Sequence, residues 1–88
     1  MTINNTTTCR VRLFAGAAEA AGADTITVEL PAGRSLAELV THLGTDDQRL
    51  AEVLSVCTFL LNGQAAASHT VLPGGSAAVD VLPPFAGG

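Results

Sequence analysis

The sequence predicts an α+β domain in which one main helix packs across a mixed β-sheet. Two observations support this prediction. Residues 25–30 alternate polar and apolar side chains, as a strand buried on one face does. Four apolar residues between positions 36 and 43 recur at helical spacing, which indicates one apolar stripe. The predicted order is strand, strand, helix, strand, short strand, strand, so the helix crosses over a hairpin and covers one face of the sheet.

Composition limits the chain to one small domain and excludes several functions. The 88 residues are 48% hydrophobic, which makes a single core feasible. The net charge is −4 and the basic residues are four arginines without lysine, which argues against nucleic acid or an anionic membrane as the partner. Residues 53–79 carry no formal charge, but turn residues interrupt them and they predict no membrane span. Without a signal-peptide pattern at residues 1–8, we expect a cytoplasmic protein.

The amino-terminal residues give little sign of order. Residues 1–9 are rich in threonine and asparagine and are predicted to form a disordered extension, in which Cys9 would be exposed. The first strand is predicted to begin at Arg10 and to end at Phe14, with Phe14 at a surface. The globular domain is thus predicted to cover residues 10–82.

Small residues follow the first strand. Residues 15–23 predict a short helical turn closed by Gly22. The alternating strand 25–30 would then pair with the first strand as a hairpin. Turn residues at 31–34 lead into the main helix.

The main helix has a recognisable start. Ser35 followed by Glu38 is a capping box, and Gly44 is expected to end the helix. Its apolar stripe consists of Leu36, Leu39, Val40 and Leu43. His42 lies off this stripe, and we expect it to be solvated. We expect no catalytic role for His42 or for His69, which lies in a weakly predicted loop.

A second, shorter helix is predicted to open at residues 45–47, with its apolar positions at Leu50, Val53 and Leu54. Residues 57–61 predict a third strand that begins with Cys57 as a buried thiol. Asn62-Gly63 is typical of a two-residue hairpin turn. The two cysteines lack metal-ligand spacing, so we expect free thiols and no bound metal.

The last part of the domain contains weaker signals. Residues 64–71 are compatible with a short edge strand, residues 73–75 predict a turn, and residues 76–82 predict the final strand. If this final strand lies beside the first strand and parallel to it, the fold is the ubiquitin-like β-grasp.

The chain ends in Leu82-Pro83-Pro84-Phe85-Ala86-Gly87-Gly88. The two prolines have no N–H to donate, so pairing is expected to stop at Leu82. Six extended residues at roughly 3.3 Å each would reach about 20 Å from the body. The two glycines can follow a channel too narrow for other residues and would present a bare carboxylate there. Residues 83–88 are therefore predicted to be a flexible functional tail.

Large apolar residues near the exit of this tail are candidates for binding a partner, because buried anchors often carry much of a binding energy. The expected partner-binding residues are Phe14, Leu61, Leu82, Pro83, Pro84, Phe85 and Ala86.

Nearly the whole chain after residue 9 resembles the small sulfur-carrier subunit of molybdopterin synthase. Four stretches carry the resemblance: residues 11–22 (VRLFAGAAEAAG), the helix 35–43, the turn Leu61-Asn62-Gly63 and the ending 80–88 (DVLPPFAGG). That family ends in two prolines, one apolar residue, one small residue and Gly-Gly. The opening stretch favours this branch over the sulfur carriers of the thiamine and cysteine pathways. The sequence departs from the family at Gly75-Ser76, where Gly-Asp is frequent.

The resemblance implies a mechanism and a set of partners. An E1-like adenylating enzyme would join the Gly88 carboxyl to AMP from ATP, and a sulfur donor enzyme would then replace AMP by sulfur. The Gly88 thiocarboxylate would enter the large subunit of molybdopterin synthase and give its sulfur to cyclic pyranopterin monophosphate. Gly87 and Gly88 are thus the expected catalytic positions. The chain would hold no permanent cofactor and would not be catalytic on its own.

Alternative functions remain open from the sequence. Gly88 would also serve a sulfur carrier for thiamine, cysteine or tRNA thiolation, or a ubiquitin-like modifier that forms amides with lysines of target proteins. A purely interacting adaptor is a third class, and it would not need a free carboxylate. A β-grasp iron–sulfur ferredoxin is excluded because it requires four cysteine ligands.

Overall fold

The structure is a computed structural model that describes residues 5–84. Each predicted element is present in this part of the chain. In chain order the elements are β1 (Thr6–Leu13), α1 (Gly16–Ala21), β2 (Thr25–Pro31), α2 (Leu36–Gly44), α3 (Gln48–Leu54), β3 (Thr58–Leu61), β4 (Gln64–Ala65) and β5 (Gly75–Leu82).

The five strands form one mixed sheet in the order β2-β1-β5-β3-β4. The first and last strands lie side by side at its centre and run parallel, with Val11 opposite Val79. The other neighbouring strands are antiparallel. The final strand therefore lies beside the first strand and parallel to it, as the β-grasp requires. The fold is the ubiquitin-like β-grasp. Within the described residues, no helix has the length and apolar content that crossing a membrane requires.

The first strand begins at Thr6, so the prediction that it starts at Arg10 is wrong and residues 6–9 belong to the sheet. Thr7 is buried, and its hydroxyl donates a hydrogen bond of 2.9 Å to the carbonyl of Pro73. Cys9 is fully buried opposite Ala77, which corrects the expectation of an exposed thiol. Threonine is β-branched and is compatible with a strand, so pairing with β2 and β5 can include a segment that looks polar.

One core fills the space between the helices and one face of the sheet. Alternate residues of β1 are buried, as are Val79 and Val81 of β5. On α2, Leu36 and Leu39 are fully buried, while Val40 and Leu43 pack partly exposed at the margin of the core. The predicted apolar stripe is therefore confirmed. Full burial of one such leucine stabilises the fold by roughly 1.5–3 kcal/mol.

Side-chain caps define both longer helices. Ser35 Oγ accepts a hydrogen bond of 3.3 Å from the N–H of Glu38, as the capping box predicts, and the Glu38 carboxylate pairs with Arg34. Asp47 Oδ1 accepts from the N–H of Leu50 at 3.0 Å and starts α3. Unpaired N–H groups in the first turn of a helix require such acceptors.

Two residues other than glycine have positive φ among residues 5–84, and both lie at turns. Asn62 (φ 50°) and Gly63 (φ 84°) form the predicted tight turn between β3 and β4. Ala15 has φ 50° and ψ −125°, a conformation that is strained for any residue with a Cβ. This strained residue directly follows Phe14. The short helix after it ends as predicted, at Gly22 in the left-handed conformation.

Cys57 lies just before β3 and is only partly buried, so it is not the core thiol expected from the sequence. Its Sγ–H donates to the carbonyl of Val53 at 3.1 Å.

Candidate functional site

The tail leaves the domain from the centre of the sheet. β5 lies between β1 and β3, and its last cross-strand pair joins Leu82 to Thr58. Pro83 and Pro84 follow outside the strand, and Pro84 is exposed. Pairing thus ends at Leu82, as the two prolines predict. The proposed catalytic positions Gly87 and Gly88, and the partner-binding candidates Phe85 and Ala86, lie outside the described residues.

The face of the sheet opposite the helices presents side chains around this exit. Arg12, Asp80 and Leu60 stand in one row across β1, β5 and β3, because Asp80 is the register partner of both others. Leu82 is two residues further along β5 on the same face. Phe14 follows β1, and its N–H donates to the carbonyl of Val81 at 3.3 Å. We call Arg12, Phe14, Leu60, Asp80 and Leu82 the exit patch.

A charged pair lies within the exit patch. Arg12 Nε and Nη2 donate to the two carboxylate oxygens of Asp80 at 2.8 and 3.1 Å. This hydrogen bonding, followed by charge attraction to Asp80, raises the pKa of Arg12, so the guanidinium is charged at every physiological pH. The guanidinium carbon also lies 5.7 Å from the centre of the Phe14 ring. The pair fixes a cation against the exposed aromatic ring.

The apolar side chains of the exit patch are accessible. Phe14 is 40% exposed, and Leu60 and Leu82 are partly exposed. Large apolar side chains grouped at the root of a tail are typical of a surface that binds another protein.

The structure does not bring Leu61 to this surface. Leu61 pairs with the buried Val79 and packs partly exposed against the core, whereas Leu60 faces outward. The outward-facing residue of the pair is thus Leu60, which the sequence did not indicate, and not the predicted Leu61. Residues 59–61 are all apolar, so their sequence does not show which side chain faces outward. The pairing of β3 with β5 shows that this residue is Leu60.

The histidines and cysteines are not part of the exit patch. His42 is exposed on α2, as expected, and His69 is exposed in the loop after β4. Among residues 5–84, no three histidine, cysteine or acidic side chains converge as metal ligands. Burial raises the pKa of both thiols, Cys9 and Cys57, which reduces their thiolate fraction at neutral pH.

Solved structures of several proteins share this fold. Small archaeal modifier protein 1 (SAMP1) from Haloferax volcanii is 26% identical, with a TM-score of 0.79 over 92% of this chain and 99% of that chain. The same protein from Methanosarcina acetivorans is 22% identical, with a TM-score of 0.76 over 94% and 98% of the two chains, and shows likeness of fold.

A third similar structure comes from a complex. A chain in the complex of subunits 1 and 2 of the molybdopterin-converting factor from Helicobacter pylori 26695 is 26% identical, with a TM-score of 0.64 over 92% of this chain and 99% of that chain. No protein with a curated function matches the sequence. The profile of the ThiS family matches residues 11–88, which include the end of β1, the exit patch and the Gly-Gly ending. The chain therefore belongs to the ThiS family of ubiquitin-like sulfur carriers.

Proposed function

We propose that this chain is the sulfur-carrying small subunit of a molybdopterin synthase, with the sulfur held as a thiocarboxylate on Gly88. The observation that carries the proposal is the position of the exit patch at the root of the tail. β5 ends at Leu82 in the middle of a sheet face that no helix covers, and the two prolines follow it. Phe14 and Leu60 lie next to this point. A partner bound to that face would receive the tail directly.

The proposed chemistry takes place on the terminal carboxylate and begins with its activation. A carboxylate is a poor electrophile, so an adenylating enzyme first joins it to the α-phosphorus of ATP, and pyrophosphate leaves. Sulfide supplied by a donor enzyme then attacks the acyl carbon, AMP leaves, and a thiocarboxylate remains on Gly88. ATP is a substrate of the activating enzyme and does not bind permanently to this chain.

The second stage is transfer of the sulfur inside the large subunit, to cyclic pyranopterin monophosphate. The tail enters the large subunit, and the channel around it aligns the sulfur with the pterin precursor. Gly87 and Gly88 allow the close approach of channel walls that a Cβ would prevent. The domain contributes affinity and a fixed exit point and needs no acid, base or metal of its own.

The Helicobacter pylori complex supports a large-subunit partner. A chain of the same fold and 26% identity occurs there in a complex of subunits 1 and 2 of a molybdopterin-converting factor. The exit patch has the composition that such an interface needs, since aromatic and arginine side chains are enriched at the centres of interfaces. Phe14 and Arg12 supply one of each.

The second candidate function is that of a ubiquitin-like protein modifier. Its support is the 26% identity and TM-score of 0.79 with the small archaeal modifier protein 1 of Haloferax volcanii. Activation of Gly88 would be the same, but an amine of a target protein would attack the acyl carbon and form an amide. A sulfur carrier for thiamine, cysteine or tRNA thiolation would follow the first route with a different acceptor.

Intact mass spectrometry of the protein purified from cells that make the molybdenum cofactor separates these functions. A mass gain equal to the replacement of one oxygen by sulfur is expected for a carrier, and amide conjugates to other proteins are expected for a modifier. Incubation of the thiocarboxylate form with the large subunit and the pterin precursor should then form the dithiolene. A thiocarboxylate that the large subunit does not consume would contradict the molybdopterin role while leaving another sulfur pathway.

A further inference from the structure

An activated carboxyl group reacts with any accessible strong nucleophile, and the whole chain can be surveyed for such groups. The first class is aliphatic amines. The sequence contains no lysine, and its four basic side chains are Arg10, Arg12, Arg34 and Arg49. A guanidinium group stays protonated throughout the physiological range and is not an acyl acceptor. No side-chain amine is therefore available in the 88 residues.

The second class is thiols, and neither of the two is freely accessible in the fold. The Cys9 side chain is fully buried between the sheet and the helices. Cys57 is partly buried, and its Sγ–H is engaged with the carbonyl of Val53 at 3.1 Å. Because the thiolate is the reactive form, the raised pKa values of these groups reduce their reactivity further.

Hydroxyl groups form the third class. In the described part of the chain, the hydroxyls of Thr7, Thr45 and Ser55 donate to main-chain carbonyls. A serine or threonine hydroxyl becomes a strong nucleophile when an adjacent base removes its proton. None of these three donates to a histidine or a carboxylate, so none of them is activated.

We propose that no amine or thiol side chain of this protein accepts its own activated C terminus. The inference rests on the proposed activation of Gly88 and holds for a carrier and for a modifier. The activated terminus survives encounters with other copies until it meets its partner. A second consequence is that copies cannot be joined through side chains into branched polymers.

The reaction that is prevented can be written explicitly. In an accepting protein, a neutral ε-amine would attack the Gly88 acyl carbon, the bond to AMP or to sulfur would break, and an amide would form with loss of one proton. A surface thiol would undergo the corresponding exchange and give a thioester between two copies. Both reactions can be introduced by single substitutions at exposed positions.

The test uses the full chain with a Gly88 thioester, prepared by thiol cleavage of an intein fusion, so that no activating enzyme is involved. Wild type, Arg49→Lys and the matched control Arg49→Gln are incubated at high concentration and about pH 9, where part of the ε-amine is neutral. Arg49 is exposed on α3. Peptide mapping should find conjugates at residue 49 in Arg49→Lys. Their amount should be severalfold above that of any side-chain conjugate in the other two proteins. The α-amino conjugate, common to all three, provides the internal reference.

Thiols are tested in the same way with Ser68→Cys, which adds a thiol at an exposed position. This variant should form dimers that are cleaved by added thiol, while folded wild type should not. Wild type unfolded in guanidinium chloride should become acylated at Cys9 and Cys57. The inference would be overturned if either cysteine became acylated in the folded protein. It would also be overturned if Arg49→Lys formed no more internal conjugate than Arg49→Gln. Failure of the activating enzyme to adenylate Gly88 in a parallel reaction with ATP would instead contradict the proposed function.

Discussion

Arg12 and Asp80 face each other across the two central parallel strands, and both carboxylate oxygens of Asp80 accept from the guanidinium. The Arg12 side chain is 61% exposed, and exposed ion pairs contribute little to stability. We therefore expect Arg12→Gln to lower the melting temperature only slightly, by an amount that vanishes in high salt. Binding of the large subunit, measured by calorimetry, should weaken clearly because the exit patch loses its cation.

Arg34→Gln is the matched control for Arg12→Gln. It removes the other exposed ion pair, between Arg34 and Glu38 at 3.0 Å on α2, and is remote from the tail. Its effect on stability should be similarly small and its effect on affinity absent. Equal losses of affinity in the two variants would contradict a specific role of Arg12.

Leu60 and Leu61 are adjacent in sequence but face opposite sides of the sheet. Leu60→Ala should weaken association with the large subunit by roughly 1–4 kcal/mol and leave the melting temperature nearly unchanged. Leu61→Ala should do the reverse, because it removes packing against the core. Phe85→Ala is expected to behave like Leu60→Ala. If Leu61→Ala costs more affinity than Leu60→Ala, the exit patch is assigned to the wrong residues.

Leu39 is the fully buried centre of the α2 stripe. Leu39→Ala should lower the free energy of unfolding by about 2–5 kcal/mol, a large share of the stability of so small a domain. Thr41→Ala, at an exposed position of the same helix, should change it by less than about 0.5 kcal/mol. Urea denaturation measures both. A similarly small loss for Leu39→Ala would show that the stripe contributes little.

Ala15 occupies backbone angles that suit glycine (φ 50°, ψ −125°). Such strain lowers the free energy of unfolding by roughly 1–3 kcal/mol. Glycine lowers it by only about 0.5–1 kcal/mol, because its unfolded chain has more conformational entropy. Ala15→Gly should therefore raise the urea midpoint. Ala23→Gly, at an exposed position without positive φ, should lower it. A decrease in both variants would mean that the Ala15 conformation carries no strain.

An additional alanine after Gly88 should abolish adenylation and sulfur transfer. The extension replaces the reactive carboxylate by an amide and moves the new terminus about 3.5 Å past the reaction point. Thermal unfolding and docking through the exit patch should remain nearly unchanged. A tag before Met1, at the opposite end of the chain, should be tolerated and serves as the control. Full dithiolene formation by the extended protein, shown by mass to be unprocessed, would contradict the carrier role.

Local signals in the sequence were sufficient for most elements. The capping box at Ser35, the alternation in β2 and the Asn62-Gly63 turn depend on neighbouring residues only, and the structure contains each of them. The parallel pairing of β1 and β5 was stated as a condition of the fold and is confirmed.

The wrong start of β1 and the wrong choice of Leu61 have a common cause. Where local sequence signals are weak, pairing between distant strands determines the structure. Thr6 to Cys9 join the sheet because β5 and β2 lie on either side of them, and the alternation of their burial appears only in that context. The choice between Leu60 and Leu61 depends on register with β5, nearly twenty residues further along the chain. The sequences of residues 6–9 and 59–61 taken alone do not indicate these pairings.

The central position of β5 also affects the synthesis of the protein. β1 leaves the ribosome first, yet its parallel partner is among the last segments to be made, and β3 joins the sheet only through β5. Contacts so distant in sequence form late in folding. A nascent chain stopped before Gly75 would lack the strand that connects both halves of the sheet and would remain open to proteases. Completion of the sheet therefore requires the chain to extend through Leu82, where β5 ends.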